Sequence, residues 1–280
     1  MAHVVAVANQ KGGVGKTTTT INLAASLALA DQRVLLVDVD PQSNLTSGVG
    51  QRGKASPAGT IYQALTTPIA ALDCRKFIVP TAVDRMQLLP SDRNLTGAEI
   101  ELVTLERREE RLRILLNTIR DEYDYILIDC PPSLGLLTLN ALVAANAVII
   151  PLHCEYFALE GLADLVGTMR RVRAALNPSL DIEGVLLTMY DARLNLCRQV
   201  ADEAKEYFGA RMFTITIPRN VRLAEAPSFG KPIILYDVQS VGAKSYLAVA
   251  QELIHRVEQG APPSPSLPAI ESLPPPEVPA

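Results

Sequence analysis

The sequence lacks the features that mark membrane, metal and redox proteins. No apolar run approaches 18 residues, so no membrane-spanning helix is predicted. The N-terminus has no basic region followed by an apolar stretch, so we expect a cytoplasmic protein. The four cysteines form no CxxC pair and no histidine stands at ligand spacing, which predicts buried free thiols. Positive charge is also scarce: a net charge of −4 and a pI of about 5.5 alone argue against a nucleic-acid partner.

Short β-branched runs alternate with longer amphipathic stretches. Runs such as VLLVDV and YILID are apolar apart from one aspartate each, which is typical of strands buried on both faces of a parallel sheet. The alternation predicts an α/β fold with a doubly wound, mostly parallel sheet flanked by helices. The predicted strands are His3–Ala8, Arg33–Val39, Met86–Leu89, Tyr125–Cys130, Ala147–Leu152, Gly184–Met189 and Phe213–Ile217. The predicted helices are Gly15–Ala30, Glu106–Glu122, Leu134–Ala144, Leu159–Leu176, Leu196–Phe208 and Val241–Glu258.

The chain shows no internal repeat, and we expect a single domain over residues 1–259. Residues 48–80, rich in Gly, Thr and Pro, look like a surface insertion between strands. Residues 260–280 contain eight prolines, which can neither continue a helix nor join a sheet ladder. This segment is predicted to be a disordered, proline-rich tail, with a docking segment as the alternative.

A glycine-rich turn between the first predicted strand and the first predicted helix is typical of a phosphate-binding loop. Gly12, Gly13 and Gly15 would let the backbone N–H groups approach phosphate oxygens, and the helix N-terminus would add its dipole. In this reading Lys16 reaches the β- and γ-phosphates, as expected for an ATP or similar nucleotide. The hydroxyl of Thr17 binds Mg²⁺, and Thr18 donates to the α-phosphate.

The loop departs from the common GxxxxGK[ST] pattern at its start. Gln10 stands where that pattern has glycine, and a second lysine, Lys11, follows. A lysine at this position points away from its own loop's cradle. It could instead reach a phosphate presented by another subunit.

Acidic residues follow two further apolar runs. Asp38 and Asp40 end the second predicted strand, and Asp129 ends the run YILID. Carboxylates at the carboxyl ends of parallel strands face the crevice where ligands bind. Asp129 is therefore expected to organise Mg²⁺ through water, and Asp40 to orient the attacking water, whereas Asp38 is assigned only a role in bracing the loop.

These motifs together resemble one family. KGGVGKTT with its extra lysine, VDVDPQ and IDCPPS look like the deviant Walker ATPases of the ParA/Soj chromosome-partitioning group, which have the P-loop NTPase fold. EYFALEGL at 155–162 and IPRNVRLAEAPSFGKPI at 217–233 match that group specifically. The resemblance covers residues 2–257.

The resemblance implies roles for individual residues. Lys11 would cross the dimer to the partner's nucleotide, and Gly12 would lie at that close interface. Asp40 would be required for hydrolysis and Asp129 would be the Walker B acid. The nucleotide-binding set that it implies is Lys11, Gly12, Gly13, Val14, Gly15, Lys16, Thr17, Thr18, Asp129, Glu155, Pro218, Arg219 and Asn220, with Glu155 contacting nucleotide across the dimer and 218–220 on the adenine side.

The resemblance also implies a cycle. ATP drives homodimer formation, the dimer binds double-stranded DNA without sequence preference, and a ParB-type centromere-binding protein stimulates slow hydrolysis and release. The protein would then be cytoplasmic and nucleoid-associated. The positions that match the family's DNA contacts are Arg193 and Arg222, with Arg219 beside them; Lys231 and Lys244 are weaker candidates. The basic residues that some relatives carry after Asp237 are missing here.

Other branches of the superfamily remain as alternatives. The first is a MinD-like polar-localisation or cargo-positioning ATPase, although the proline-rich tail follows the last helix where a membrane anchor would end the chain. The second is an iron–sulfur carrier, for which Cys130 and Cys154 are the remaining candidate cluster ligands.

The negative net charge of the whole chain does not exclude DNA binding. Without residues 258–280 the balance is 26 basic against 27 acidic residues, or −1. Residues 190–256 hold nine basic and seven acidic residues, a local excess that a dimer would double. Weak, salt-sensitive DNA binding by the ATP dimer is therefore expected.

Overall fold

The computed structural model describes residues 1–155 and 158–260. Of the predicted proline-rich tail, residues 261–280 lie outside the described residues. The strands are β1 (His3–Val7), β2 (Val34–Asp38), β3 (Val79–Pro80), β4 (Met86–Leu89), β5 (Tyr125–Asp129), β6 (Ala147–His153) and β7 (Asp181–Thr188). The helices are α1 (Lys16–Leu29), α2 (Asn44–Gly48), α3 (Ile61–Thr66), α4 (Leu95–Glu101), α5 (Arg111–Asn117), α6 (Leu136–Ala144), α7 (Ala158–Ala175), α8 (Asn195–Phe208), α9 (Val221–Glu225), α10 (Ile233–Tyr236) and α11 (Val241–Glu258).

The described strands form one sheet in the order β3-β4-β2-β5-β1-β6-β7. All neighbouring strands run parallel except β3, which pairs antiparallel with β4 at one edge. In β2 and β5, Asp38 and Asp129 are register partners, and Val7 of β1 also pairs with Asp129. The ends of three central strands therefore meet at one point, which is where the glycine-rich loop leaves β1.

Helices cover both faces of the sheet, which confirms the doubly wound fold. On one face α1 and α11 pack against the strands through residues such as Leu23 and Tyr246. On the other face α5, α6 and α7 contribute residues such as Leu115, Leu142 and Val166. Each fully buried side chain of this kind stabilises the fold by roughly 1.5–3 kcal/mol. This packing fixes α1, and with it the loop that precedes it. In the part of the chain that the structure describes, none of the helices combines the length and apolarity needed to cross a membrane.

The predicted strand Phe213–Ile217 is wrong. The segment runs beside β7, and the Phe213 and Ile217 N–H groups donate to Val185 O and Leu187 O at 2.9 and 2.8 Å. Between them, Thr214 N donates to the carboxylate of Glu252 in α11 at 3.0 Å. Ile215 N, which in a regular strand would point toward β7 as Phe213 N and Ile217 N do, also donates to Glu252, at 3.3 Å, and is thereby lost to the ladder.

The predicted helix Glu106–Glu122 is shorter than expected. Arg107 has a left-handed φ of 53°, which no helix interior accommodates, and α5 begins only at Arg111. The start of α5 is held from α6: Leu112 N donates to Asn140 Oδ1 at 3.1 Å, and Asn140 Nδ2 donates to Arg108 O at 2.8 Å. A side chain distant in sequence thus sets where the helix starts.

The interpretation of residues 48–80 as a surface insertion is also wrong. Helix α3 lies in this stretch and starts with a capping box in which Thr60 and Gln63 satisfy each other's backbone. Ile61, Leu65 and Phe77 are buried in the same core cluster as α5 and α6. This stretch therefore forms part of the core.

Candidate functional site

The loop between β1 and α1 has the backbone shape that a phosphate cradle requires. Gly13 and Gly15 have left-handed φ values of 73° and 86°, a region that favours glycine. Because α1 begins at Lys16, directly after Gly15, the free N–H groups of its first turn face the loop. Gly12 borders open space, and a Cβ added there would meet no heavy atom within 4 Å.

Two neighbouring strands hold this loop in place. The buried Asn9 side chain donates to Pro151 O in β6 at 2.7 Å and accepts from Lys11 N at 3.0 Å. At the end of β7, Thr188 Oγ1 donates to Val14 O at 2.8 Å. The sequence motifs did not single out Asn9 or Thr188. Both are polar residues that follow or end apolar strands, which is the signal that identified the aspartates.

Lys16 points back over its own loop. Its Nζ donates to Lys11 O at 2.8 Å, and the residue is 7% exposed. Burial lowers the pKa of Lys16, while the nearby Asp129, Cys130 and Asp40 raise it. A buried ammonium group held by a single carbonyl is well suited to receive an anionic ligand.

Asp129 lies fully buried at the end of β5, beneath the start of α1. It accepts hydrogen bonds from Thr17 Oγ1 at 2.7 Å and Thr20 Oγ1 at 3.2 Å. Burial raises the pKa of Asp129 well above its usual range; Asp38 adds to the rise, and the threonine hydrogen bonds oppose it. Thr20 was not predicted, although it stands on the same helix face as Thr17, one turn later.

Asp38 and Asp40 have different surroundings. Asp38 is fully buried and accepts from Thr46 N at 2.8 Å, Thr46 Oγ1 at 2.7 Å and Asp40 N at 3.2 Å. Burial, more than any other cause, raises the pKa of Asp38 to about 7. Asp40 accepts from Gln42 N at 2.8 Å and lines the cleft described next. Asp38 therefore braces the turn that presents Asp40.

A cleft of about 670 Å³ opens beside the loop. Nine of the thirteen predicted nucleotide-binding residues line it, namely Gly12, Gly13, Gly15, Lys16, Thr17, Thr18, Pro218, Arg219 and Asn220. Asp40, predicted to act in hydrolysis, lines it as well. Its lining also includes residues that were not predicted to bind nucleotide, among them Gln42, Asn44, Pro132, Thr188, Met189 and Tyr246. Val14 and Asp129 are buried behind this lining. The cleft thus joins the loop to the 218–220 segment, which lies far away in sequence.

Lys11 and Glu155 are outside the lining of the cleft and contact each other. Lys11 Nζ forms an ion pair with Glu155 Oε2, and Glu155 Oε1 lies 2.8 Å from His153 Nδ1. The Lys11 ion pair is the main reason why the pKa of Glu155 is lowered. The side chains of Lys11 and Glu155 are 32% and 47% exposed, so the pair lies at the surface. Of the two predicted loop lysines, one therefore enters the cleft and the other does not.

The two predicted DNA-contacting arginines stand on adjacent segments. Arg193 precedes α8 and Arg222 is in α9, and the two segments are joined where Tyr190 N donates to Ile217 O at 2.9 Å. Arg219, between them, lines the cleft. The basic candidates therefore lie close to the predicted nucleotide-binding wall.

Each of these two arginines has a carboxylate partner. Arg193 donates to Asp191 through Nε at 2.9 Å and Nη2 at 2.6 Å, and this pair lowers the pKa of Asp191 to about 2. Arg222 Nη1 donates to Glu225 Oε2 at 3.0 Å, and its Nε lies 3.6 Å from Asp237 Oδ2. The positive charge of both arginines is thus partly balanced within the chain.

All four cysteines are free and buried, as predicted. Burial raises the pKa of the Cys154 thiol to about 12. Within residues 1–155 and 158–260, no group of three or more His, Cys, Asp and Glu side chains is arranged to hold a metal ion. Cys130 and Cys154 are 1% and 4% exposed, so neither thiol is presented at the surface, where a cluster shared by two subunits would need it.

Comparison with known proteins identifies the family. A family model described as an AAA domain matches residues 2–182. The chain is 55% identical over 258 residues to the chromosome partitioning protein ParA of Myxococcus xanthus, covering 91% of this chain and 89% of that protein. It is 54% identical over 253 residues to the sporulation initiation inhibitor protein Soj of Bacillus subtilis, covering 90% and 98%.

A solved structure agrees in fold. Cobyrinic acid a,c-diamide synthase from Mycobacterium smegmatis, with bound ATP analogue and magnesium, superposes with a TM-score of 0.79 at 36% identity, covering 93% of this chain and 97% of that one. The sheet order, the glycine-rich loop and the sequence identity point the same way, and the chain belongs to the ParA/Soj family of chromosome-partitioning ATPases.

Proposed function

We propose that this chain is an ATP-dependent partitioning switch, which hydrolyses ATP to ADP and phosphate with Mg²⁺. ATP binding drives homodimer formation, the dimer binds double-stranded DNA without sequence preference, and a ParB-type centromere-binding protein stimulates slow hydrolysis and release. The observation that carries the proposal is the different placement of two lysines of one loop. Lys16 lines the cleft, whereas Lys11 lies outside its lining beside Glu155.

The cleft has the groups that a nucleoside triphosphate needs. The phosphates would lie against Gly12–Thr18, with Lys16 Nζ exchanging its bond to Lys11 O for phosphate oxygens. The base would lie against Pro218, Arg219 and Asn220, on the opposite wall. The Mycobacterium smegmatis structure, which has the same fold, contains an ATP analogue and magnesium.

The oxygen donors near Lys16 suit Mg²⁺, which prefers hard oxygen ligands. Thr17 would coordinate directly, while Asp40 and Asp129 would act through water. Thr17 Oγ1 already lies 2.7 Å from Asp129 Oδ2, so the two donors are held together before any ligand binds. Bound Mg²⁺ would neutralise charge on the β- and γ-phosphates.

Asp40 is proposed to orient the water that attacks the γ-phosphate. Its carboxylate lines the cleft, and Gln42 N donates to one of its oxygens at 2.8 Å, which restricts the side chain. Asp38 fixes the backbone of the same turn from below. Asp40 would accept a hydrogen bond from the attacking water, and Lys16 would hold the phosphates. The fold would thus position both groups for the reaction.

Lys11 is proposed to act on the partner's nucleotide. In the monomer its ammonium pairs with Glu155 at the surface, and the neighbouring Gly12 has open space around it. A second protomer could therefore approach the loop closely. Lys11 would then leave Glu155 for a phosphate of the partner's nucleotide, and Glu155 would be released next to the same interface.

DNA binding is proposed to use Arg193, Arg219 and Arg222 of both protomers. The Arg193 side chain is 88% exposed and that of Arg222 is 55% exposed, so both can reach a surface ligand. Exposed ion pairs are weak, so DNA phosphates can replace Asp191 and Glu225 as partners. Phosphate contacts carry no sequence information, which suits binding without sequence preference.

A gel-shift series on non-specific duplex DNA tests the proposal. With ATP the protein should shift the DNA, and with ADP it should not. About six phosphate contacts per dimer predict that log K falls with log salt with a slope of about −5. Equal binding in ATP and ADP, or a slope near zero, would refute the DNA-dependent switch and favour the cargo-positioning alternative.

A further inference from the structure

A cluster of arginines lies at the opposite end of β7 from the cleft. Strand β7 runs from Asp181 to Thr188, and only Thr188 lines the cleft. At about 3.3 Å per residue the two ends of the strand are roughly 23 Å apart. Asp181 lies 3.0 Å from Arg211, just after α8, and 3.9 Å from Arg173 of α7. Arg170 precedes Arg173 by one helical turn, and its charge opposes the rise that burial causes in the pKa of Tyr207, four residues before Arg211. We name Arg170, Arg173, Asp181, Tyr207 and Arg211 the arginine cluster. It is separate from the nucleotide site.

The arginine cluster contains more donors than the chain can satisfy. Four of its buried atoms, Arg170 Nη2, Arg173 Nη1, Arg211 Nη1 and Tyr207 Oη, have no hydrogen-bond partner among residues 1–155 and 158–260. Buried polar atoms without partners are rare in folded proteins, because each loses its bonds to water. Four of them in one cluster indicate that an acceptor belongs there.

The arginine cluster also has an excess of positive charge. Asp181 is the carboxylate that the arginines share: Arg211 Nη2 lies 3.0 Å from its Oδ1, and Arg173 Nη1 lies 3.9 Å from the same atom, beyond hydrogen-bond distance. Three guanidinium groups and one carboxylate leave two positive charges without a counter-charge in the cluster. A dianion would balance them.

Arg256 of α11, at the same end of the fold, differs from the arginine cluster in having several hydrogen-bond acceptors. Arg256 of α11 donates to Glu183 O at 3.1 Å, Met212 O at 2.6 Å and Glu252 Oε1 at 2.6 Å. It also lies over the Phe213 ring, 4.4 Å from the centroid. Both Nη atoms of Arg256 thus have acceptors, whereas Arg170, Arg173 and Arg211 each have one buried Nη atom without an acceptor in the described part of the chain.

We infer that the arginine cluster is a binding site for a small dianionic oxyanion of the phosphate class. Guanidinium groups bind such oxygens through paired, charge-assisted hydrogen bonds. The side chains of Arg173 and Arg211 are 28% and 16% exposed, so the site reaches the surface. The Tyr207 hydroxyl donates a further hydrogen bond. Free phosphate and a phosphate group on a partner share this chemistry.

The test uses the full chain and inorganic phosphate as the probe. The thermal unfolding midpoint is followed against phosphate concentration, with chloride at equal ionic strength as the reference, since a ligand of the folded state raises the midpoint. Phosphate would also fit the loop at Lys16, so the response of variants, rather than of wild type alone, reports on the cluster. Phosphoserine in place of phosphate distinguishes a phosphate group on a partner from the free ion.

The variants remove one donor group at a time. Arg173→Gln and Arg211→Gln should each weaken the phosphate response by about tenfold or more, the effect of one charge-assisted hydrogen bond. Tyr207→Phe, which keeps the ring, should weaken it by a few fold. Arg171→Gln is the matched control, because Arg171 is exposed on the same helix and donates to Thr168 at 3.0 Å; its response should equal that of wild type.

Several results would overturn the inference. If all variants respond to phosphate as wild type does, the response comes from the loop at Lys16. If wild type does not respond, ordered water satisfies the four donors. If glutamate at equal ionic strength stabilises the protein as well as phosphate does, the ligand is not a dianion. Because each variant is compared with itself in chloride, a change in its own stability does not affect the outcome.

Discussion

Replacing Glu155 by glutamine tests whether the monomer holds Lys11 away from a dimer partner. The substitution keeps the size of the side chain and removes its charge. If Lys11 must leave Glu155 before it reaches the partner's nucleotide, the loss of the ion pair removes part of the free-energy cost of dimerisation. Glu155→Gln is therefore expected to strengthen the ATP-dependent dimer.

The size of the effect follows from the exposure of the pair. Lys11 and Glu155 are 32% and 47% exposed, and partly exposed ion pairs contribute about 0.2–1 kcal/mol. Since both protomers release one pair, the dimer gains about 0.4–2 kcal/mol, which lowers its dissociation constant by roughly 2- to 30-fold. The contact of Glu155 with His153, at 2.8 Å, is weakened as well, but it does not involve Lys11.

The assay is sedimentation velocity with ATP and Mg²⁺ over a range of protein concentrations. An Asp40→Ala background prevents hydrolysis from reversing the dimer during the run. Two controls separate the contributions: His153→Gln removes the second partner of Glu155 and should change the dissociation constant less, and Lys11→Gln should abolish the dimer. With ADP none of the variants should dimerise.

A weaker dimer in Glu155→Gln would contradict this reasoning. It would mean that Glu155 contributes a favourable contact to the dimer, as the family resemblance implies for this position. An unchanged dissociation constant would mean that Lys11 stays beside Glu155 throughout, and the proposed crossing to the partner's nucleotide would then be wrong.

Three further predictions concern hydrolysis, DNA binding and stability. Asp40→Ala should bind ATP and remain on DNA as a dimer while phosphate release falls by about 10²-fold or more, the usual loss on removing an acid–base group; normal release would refute its role. Arg222→Glu should dimerise with ATP but no longer shift DNA, and loss of the dimer would mean that Arg222 is structural. Gly230→Ala should lower the free energy of unfolding in urea by about 2–4 kcal/mol, because φ is 63° and the new Cβ would lie 2.7 Å from Gly50 Cα. Gly167→Ala in α7, where no heavy atom lies within 4 Å, is its control and should be neutral or stabilising by up to about 1 kcal/mol.

Periodicity predicted the sheet well where the segments are buried on both faces. The runs that became β2 and β5 are apolar up to the aspartate that ends each strand, and every residue in them is buried. The failures arose where a distant side chain competes for backbone groups. Glu252 of α11 takes the N–H of Ile215, and Asn140 of α6 sets the start of α5. No local pattern contains that information, because both partners are supplied by tertiary structure.

The residues of the candidate site also fall into two groups, those that local motifs predict and those that only the tertiary structure brings in. Lys16, Thr17 and Asp40 stand in contiguous motifs at the ends of apolar runs, so spacing and chemistry were enough to find them. Tyr246 reaches the cleft from α11, and nothing next to it in sequence marks it as part of the site. The side chains that shape the site beyond the phosphate loop depend on how the sheet and its covering helices are assembled.

The placement of the proposed DNA contacts limits how the switch can work. Arg193 and Arg222 are each opposed by a carboxylate two or three residues away, so one protomer offers little free positive charge. When an arginine exchanges its carboxylate partner for a DNA phosphate, the free energy changes little. Binding becomes favourable only when several such exchanges occur on one DNA molecule. A dimer supplies them. Since Arg222 follows Asn220 on the segment that forms the proposed adenine wall, nucleotide and DNA would bind to the same short stretch of chain. ATP would therefore control DNA binding both by doubling the contacts and by ordering the segment that makes them.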